Sequence, residues 1–161
     1  MKTAHEIWLL DTSSSMSGDR YDRLKAQLQS LWEGAERVTL IAFATDVVPI
    51  ESPANLPPAR GGTLLAEALT FCLDYAPGRV VVFSDGEPHD ENMALDAASN
   101  LPGTVETIFF GSSSDRKAIH FMDRLARQNG GQCVKKDILA GETLLSYDVK
   151  AMLGLPAPIA L

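Results

Sequence analysis

The chain has 161 residues, of which 45% are hydrophobic and 22% are charged, and its formal net charge is −7. A chain of this length can form one domain that buries a core without disulfides or a structural metal. The negative charge disfavours a general attraction to nucleic acid or to anionic membranes. No apolar run reaches the roughly 18 residues of a membrane-spanning helix. Residues 1–11 also lack a signal-peptide pattern, so we expect a cytoplasmic protein.

The two cysteines, Cys72 and Cys133, fall in an apolar helical pattern and in a predicted strand. Free cysteine is among the most buried residue types and usually contributes to the core. We therefore expect buried free thiols rather than a disulfide or a metal pair.

Six short apolar runs predict β-strands, because each is bounded by turn residues. The predicted strands cover residues 6–11, 37–45, 47–50, 79–84, 105–110 and 132–135. The second and third strands are linked only by Thr45-Asp46, which permits nothing but a hairpin and makes the third strand antiparallel. Pro49 cannot donate a hydrogen bond to a neighbouring strand, so the third strand belongs at an edge of the sheet.

Apolar residues three and four positions apart predict five helices. The predicted helices cover residues 19–34, 63–75, 90–100, 114–129 and 142–153. The alternation predicts an α/β fold: a doubly wound, Rossmann-like, mainly parallel six-stranded sheet with one antiparallel edge strand and helices on both faces. We expect one domain over residues 1–153, followed by an apolar tail, residues 154–161, that packs on the domain or docks a partner.

A cluster of carboxylate and hydroxyl side chains, Asp11-Thr12-Ser13-Ser14-Ser15, comes directly after the first strand. On its own, such a cluster is more often a turn and a helix cap than a binding site. Its alternate members, Asp11, Ser13 and Ser15, can also converge in a strand-to-helix loop. Hard oxygen ligands of this kind suit Mg²⁺, Mn²⁺ or Ca²⁺.

Two further segments bring oxygen ligands to the same end of the predicted sheet, where the parallel strands have their carboxyl ends. Asp85 follows the fourth strand, and Thr63 follows Gly61-Gly62 at the start of the second helix. In doubly wound sheets, ligands bind outside the carboxyl ends of the strands, where the strand order reverses. That point lies between Asp11 and Asp85 if the second and fourth strands flank the first. The hydroxyl of Thr63 can then enter the crevice from a third loop.

These segments resemble the von Willebrand factor type A (vWA) domain. The matching residues are Asp11-x-Ser13-x-Ser15, Thr63 within Gly-Gly-Thr-Leu-Leu-x-x-Ala-Leu, and Asp85 within Val-Phe-Ser-Asp-Gly-Glu-Pro. The resemblance covers nearly the whole chain, and in that family the three segments form the metal-ion-dependent adhesion site (MIDAS). It implies a complete site in which Ser13, Ser15 and Thr63 coordinate the cation, while Asp11 and Asp85 bind it directly or through water.

Neutral hydroxyl ligands leave the charge of a cation incompletely balanced, and Mg²⁺ keeps several exchangeable waters. A carboxylate of a partner can replace one of these waters. We therefore expect a non-enzymatic protein–protein interaction module that binds Asp or Glu of a partner through Mg²⁺, with Mn²⁺ or Ca²⁺ as alternatives. The chain resembles small intracellular bacterial or phage members of the family. Some of these are similar to adaptors of AAA+ ATPase systems, and this last step is an analogy.

The alternative function is a magnesium-dependent phosphate-transfer enzyme that is phosphatase-like, with Asp11 as nucleophile and Asp85 as metal ligand. Such chemistry usually adds a second carboxylate or a cation to stabilise the transferring phosphoryl group. Position 13 is Ser instead, and Arg20 and Arg60 are near the ligand segments in sequence only. The sequence therefore favours the binding module.

Two segments near the predicted site have two interpretations each. Glu87, His89, Asp90 and Glu91 either rim the site and select the partner or form a solvated loop with Asp90 as a helix cap. The sequence does not decide between these. His89 itself is a poor ligand for a hard cation. Residues 111–115 repeat the serine-rich character of the first cluster, but we expect them to form a turn and a helix cap.

Overall fold

A computed structural model describes residues 5–135, which form a six-stranded sheet flanked by helices. The strands are β1 (Glu6–Asp11), β2 (Val38–Phe43), β3 (Val47–Ile50), β4 (Arg79–Ser84), β5 (Thr104–Phe109) and β6 (Cys133–Val134). The predicted helix over residues 142–153 and the tail over residues 154–161 lie outside the described residues. Both stay predictions, as does the domain boundary between them.

The strand order across the sheet is β3-β2-β1-β4-β5-β6. β1 pairs in parallel with β2 and β4, and β5 pairs in parallel with β4 and β6. β3 runs antiparallel to β2 at the edge, with Pro49 opposite Ile41. The predicted fold class is therefore confirmed, including the antiparallel edge strand. The order also reverses between β1 and β4, which is the point where the sequence places the site.

Four α-helices lie among the described residues: α1 (Asp19–Trp32), α2 (Leu65–Phe71), α3 (Glu91–Ser99) and α4 (Arg116–Arg127). The single helix predicted over residues 63–75 is wrong in its extent. α2 begins only at Leu65, because Leu64 has the non-helical φ and ψ angles −88° and 65°. After α2 the chain tightens into a 3-10 helix, Cys72–Tyr75, which ends at Ala76 with a left-handed φ of 45°.

Both faces of the central strands are buried, which explains why these strands are continuous apolar runs. Ile7 and Leu9 of β1 pack on the face that α2, α3 and α4 cover. Trp8 and Leu10 pack on the opposite face, which α1 covers. All four side chains are fully buried. The two cores fix the end of β1, and hence the position of the residue that follows Leu10.

Both cysteines are free thiols, but the predicted burial is confirmed for only one of them. Cys72 is buried, whereas Cys133 on the edge strand β6 is half-buried. Burial raises the pKa of Cys72 to about 12, so its thiol stays protonated at neutral pH. Within residues 5–135, no helix has the length and apolar character that a membrane crossing requires.

Candidate metal centre

Asp11 is the last residue of β1, and it is completely buried. Its Oδ1 accepts hydrogen bonds from the backbone amide of Ser13 at 2.9 Å and from the hydroxyl of Ser13 at 2.6 Å. Its Oδ2 accepts a hydrogen bond from the hydroxyl of Ser84, also at 2.6 Å. These neutral donors orient the carboxylate, but they bring no positive charge to it.

The environment of Asp11 raises its pKa from 3.8 to about 6. Loss of hydration on burial is the largest cause, and the negative charge of Asp85 is the next. The hydrogen bonds from Ser13 and Ser84 act in the opposite direction. A carboxylate in this state favours a cation at its side, because burial has removed the water that would otherwise stabilise its charge.

The loop after β1 brings two predicted hydroxyl ligands together. Residues Ser14–Met16 form a 3-10 turn, and the fully buried side chain of Met16 anchors that turn in the core. The hydroxyl oxygens of Ser13 and Ser15 lie 3.2 Å apart. Because Ser13 is also bonded to Asp11, the three predicted ligands of this loop form one connected group.

Asp85 follows β4 directly and is 1% exposed. Its Oδ1 accepts a hydrogen bond from the backbone amide of Glu87 at 3.3 Å. The turn depends on Gly86, whose φ is +75°. A Cβ atom at Gly86 would lie 2.8 Å from the carbonyl oxygen of Ala118 in α4. Glycine is required here both by the backbone conformation and by the close approach of that helix.

The loop that carries Thr63 is hydrogen-bonded to the loop after β1. The backbone amide of Arg60 donates to the carbonyl oxygen of Thr12 at 2.9 Å, and the amide of Ser14 donates to the carbonyl oxygen of Gly61 at 3.0 Å. Thr63 itself is 5% exposed. The third predicted segment therefore lies against the first, at the same edge of the sheet.

His89 forms two hydrogen bonds with the backbone of Thr63. The amide of Thr63 donates to Nε2 of His89 at 3.3 Å, and the amide of His89 donates to the carbonyl oxygen of Thr63 at 3.2 Å. A Cβ atom at Gly62 would lie 2.5 Å from Cε1 of His89, so the glycine leaves space for the ring. His89 thus lies beside a predicted ligand and holds its backbone.

The sequence left open whether the residues after Asp85 rim the site or form a solvated loop with a helix cap, and the structure shows some of each. Glu87 lies at the site, with its Oε2 3.3 Å from Nη1 of Arg20. Asp90 is a helix cap, because its Oδ1 accepts a hydrogen bond from the amide of Met93 at the start of α3. Asp115 caps α4 in the same way, which confirms the turn and cap predicted for residues 111–115.

Arg20 lies close to the ligand segments in space, so the expectation that it is near them in sequence only is wrong. Its Nη1 lies 3.0 Å from Oδ2 of Asp85 and 3.4 Å from the carbonyl oxygen of Ser15. The physical reason is that Arg20 belongs to the first turn of α1. That helix begins at the sheet edge where the loop after β1 ends. The position of Arg20 next to the start of a helix that follows the ligand loop was the signal that could have revealed it.

The donor set fits a hard divalent cation. Two buried carboxylates, Asp11 and Asp85, lie close enough for one to raise the pKa of the other, and neighbouring ligands are neutral hydroxyls. A cation would relieve the excess negative charge. No group of three or more His, Cys, Asp or Glu that could hold a metal occurs within residues 5–135. A metal at this edge would therefore depend on the hydroxyls of the predicted set.

At the level of sequence, no protein-family model and no curated protein matches the chain. Solved structures match its fold. The manganese-loaded TRAP protein of Plasmodium vivax is similar with a TM-score of 0.60 and 18% identity, and the match covers 77% of this chain. The three N-terminal domains of the type V pili tip protein Mfa5 from Porphyromonas gingivalis are similar with a TM-score of 0.59 and 12% identity, over 76% of this chain.

These matches span 63% of the TRAP chain and 45% of the pili tip chain. At such low identity they establish a likeness of fold and nothing finer. The likeness supports the vWA-like α/β fold that the sequence predicts. Within residues 5–135, β2 and β3 form the one antiparallel pair, and helices cover both faces of the sheet. The chain is thus a protein of vWA-like fold with three oxygen-rich loops at the edge where such folds bind ligands.

Proposed function

We propose that the chain is a metal-dependent protein–protein interaction module. In this proposal the residues that hold the cation are Asp11, Ser13, Ser15, Thr63 and Asp85. The cation is Mg²⁺ in the first place, with Mn²⁺ or Ca²⁺ as alternatives. The partner donates the carboxylate of an Asp or Glu, which completes the coordination.

One observation carries the proposal: two carboxylates, Asp11 and Asp85, are 0% and 1% exposed at the same sheet edge. Arg20 brings a positive charge next to them. It pairs with Asp85, and its side chain is 32% exposed. The polar partners of Asp11 are the uncharged donors of Ser13 and Ser84. Buried charges are expected to be paired or to bind metal. Here one positive charge, that of Arg20, stands beside two buried carboxylates.

The neutral ligands account for the type of partner. Hydroxyls from Ser13, Ser15 and Thr63 add no negative charge, so a bound divalent cation would keep affinity for a further anion. Among unmodified side chains with ordinary pKa values, those of Asp and Glu are the ones that are negatively charged at neutral pH. The cation would supply an electrophilic point for such a carboxylate, and the chain's own residues would hold the cation at the carboxyl ends of β1 and β4. The manganese in the TRAP structure supports a divalent cation in a protein of this fold.

The cytoplasmic location, the resemblance to bacterial or phage members and the association with an AAA+ ATPase system extend the proposal by analogy. Their support is the sequence resemblance described above. Capture of partners from the native host would test them, with wild type compared with Asp85→Ala. A partner that binds wild type in Mg²⁺ and is lost both in chelator and in the variant would be a metal-dependent one.

Thermal melting tests the metal centre directly. Mg²⁺ or Mn²⁺ at about one hundred times its Kd should stabilise wild type by about 2.7 kcal/mol, because a ligand of the folded state shifts the equilibrium by mass action. Thr63→Ala should lose most of this stabilisation. Thr70→Ala is the matched control, since Thr70 lies on the exposed face of α2 and bonds only to its own helix, through the carbonyl oxygen of Ala66. No cation-dependent shift in wild type would reject the metal centre.

The phosphate-transfer alternative gains one argument from the structure, because Arg20 does lie beside Asp85. The nucleophile it requires, Asp11, is completely buried, and both of its oxygens accept hydrogen bonds. We therefore propose a binding module rather than an enzyme. Phosphatase turnover that Asp11→Asn abolishes, measured with an aryl phosphate in Mg²⁺, would establish the enzyme instead.

A further inference from the structure

The guanidinium of Arg20 forms an ion pair with Asp85, which is a predicted metal ligand. Its Nη1 lies 3.0 Å from Oδ2 of Asp85, whose side chain is 0% exposed. The same nitrogen lies 3.3 Å from Oε2 of Glu87, whose side chain is 46% exposed. Arg20 therefore joins a buried carboxylate of the candidate metal centre to a carboxylate that faces solvent.

A guanidinium in this position opposes a divalent cation in two ways. It takes up hydrogen-bonding capacity of Asp85 that a cation or its bound water would use. Its positive charge also repels a cation held by Asp85 and Asp11. Asp85 is withdrawn from water, so solvent and salt screen this interaction less than they screen a surface ion pair.

Glu87 provides a second place for the same guanidinium. One nitrogen of Arg20 is already within ion-pair distance of both carboxylates, so a rotation of the side chain is enough to favour one over the other. Arg20 has a long side chain that is partly exposed, which allows such a rotation. Glu87 therefore competes with Asp85 for Arg20, as Arg20 competes with a cation for Asp85.

We propose that Arg20 is a built-in competitor of the divalent cation, which pairs with Asp85 in the metal-free protein and shifts towards Glu87 when a cation binds. This inference rests on the proposed metal centre and adds the residue that sets its affinity. Arg20 acts through Asp85 and is therefore a positioning residue. The pair of contacts also gives Glu87 a role in cation binding although it is not itself a predicted ligand.

The test is the affinity of the full chain for Mn²⁺, measured by isothermal titration calorimetry. Arg20→Met keeps the aliphatic part of the side chain and removes the competing charge, so Mn²⁺ should bind about fivefold more tightly, the scale of a partly exposed ion pair. Glu87→Gln removes the alternative partner and should weaken binding by about the same factor. Arg20→Lys keeps the charge, so its affinity should stay close to that of wild type.

A double variant separates this competition from a general effect of charge. If Glu87 acts through Arg20, Glu87→Gln should leave the Mn²⁺ affinity unchanged in the Arg20→Met background. Lys25→Ala is the control for net charge, because Lys25 lies five residues further along α1 and thus about 140° around the helix. Its Mn²⁺ affinity should match that of wild type.

The outcomes distinguish the inference from the proposed function. If wild type binds Mn²⁺ and Arg20→Met binds equally or more weakly, Arg20 is no competitor, while the metal centre stands. If neither protein binds Mn²⁺, both proposals fail. Melting curves in chelator show whether each variant is folded. If Arg20→Met does not fold, Glu87→Gln decides, since unchanged Mn²⁺ affinity in that variant contradicts the exchange of Arg20 between the two carboxylates.

Discussion

The hydroxyl of Ser84 donates a hydrogen bond of 2.6 Å to Oδ2 of Asp11 and thereby joins the carboxyl ends of β4 and β1. The same hydroxyl oxygen accepts a hydrogen bond from the backbone amide of Gly86 at 3.1 Å. Ser84 is 1% exposed, so water cannot replace either contact. One buried hydroxyl thus connects the carboxylate of Asp11 with the turn that carries Asp85.

Ser84→Ala should lower the free energy of unfolding by about 1–3 kcal/mol, because it leaves an oxygen of Asp11 and the amide of Gly86 buried without this partner. Urea unfolding in chelator measures the change. Ser99→Ala is the control, since the hydroxyl of Ser99 is exposed and bonds to the carbonyl oxygen of Asp96 within the same helix. The control should stay within about 0.5 kcal/mol of wild type. Equal losses in the two variants would contradict a structural role of the Ser84 contacts.

The backbone frame of the site could be predicted because it depends on local patterns. Each strand is a short apolar run with a turn after it, and the two-residue link before β3 allows only a hairpin. These elements place Asp11 and Asp85 at strand ends, and the structure shows that the two strands are neighbours, which had only been assumed from the sequence. The cap at Asp90 was predicted by residue, whereas for α4 only a cap within residues 111–115 was predicted, and the structure places it at Asp115.

The position of Arg20 at the start of α1 indicated the right end of the sheet, but the side-chain contacts of the two carboxylates could not be predicted, because they join residues that are far apart in sequence. Ser84 is 73 residues from Asp11, and Arg20 is 65 residues from Asp85. In the sequence, neither residue stands out: Ser84 is the last residue of a predicted strand, and Arg20 is one of several charged residues of an amphipathic helix. Residue spacing fixes the edge at which such side chains lie, but it does not fix which rotamer they adopt or which oxygen they contact.

The stability of the metal-free protein should depend on the protonation of Asp11. Its pKa is raised from 3.8 to about 6, so the folded state binds this proton more tightly than the unfolded state. The corresponding stability is fully present below pH 3.8 and is lost as the pH rises through about 6. A difference of about 2 pKa units corresponds to roughly 3 kcal/mol. Asp11→Asn cannot titrate, so its stability relative to wild type should increase by about this amount between pH 4 and pH 7.

Urea unfolding of wild type and Asp11→Asn in chelator, at half-unit pH steps, measures this difference. Other titrating groups cancel in the comparison, because both proteins share them. A lost or poorly aligned hydrogen bond from Asn to Ser84 would add an offset that does not vary with pH. The slope between pH 4 and pH 6 is therefore the informative quantity, and a difference that stays constant over that range would contradict the raised pKa.

The contact between His89 and the Thr63 backbone should matter more for cation binding than for stability. His89 is exposed, so His89→Ala should change the free energy of unfolding by less than about 1 kcal/mol. The amide of Thr63 would lose its acceptor and the loop its position, so we expect the affinity for Mn²⁺ to fall several-fold. His120→Ala, on the exposed side of α4, should alter neither quantity. A calorimetric titration in which both histidine variants bind like wild type would leave His89 without a role at the site.

The turn after Asp85 should be sensitive to any side chain at Gly86. Gly86 and Gly130 both have positive φ angles, +75° and +76°, so alanine at either position should cost about 1–2 kcal/mol from backbone strain. A Cβ atom at Gly130 would make only an ordinary contact of 4.0 Å with Cγ2 of Thr104, whereas one at Gly86 would lie 2.8 Å from the carbonyl oxygen of Ala118. Gly86→Ala should therefore lose a further 1–3 kcal/mol or so as the turn is pushed away from α4.

Urea unfolding of the two glycine variants isolates this packing cost, because the strain at positive φ is common to both. Displacement of the turn should also move Asp85, so Gly86→Ala should bind Mn²⁺ more weakly than Gly130→Ala at a temperature where both are folded. Equal stabilities would mean that α4 yields to the added methyl group. Equal Mn²⁺ affinities with unequal stabilities would mean that the position of Asp85 does not depend on the turn.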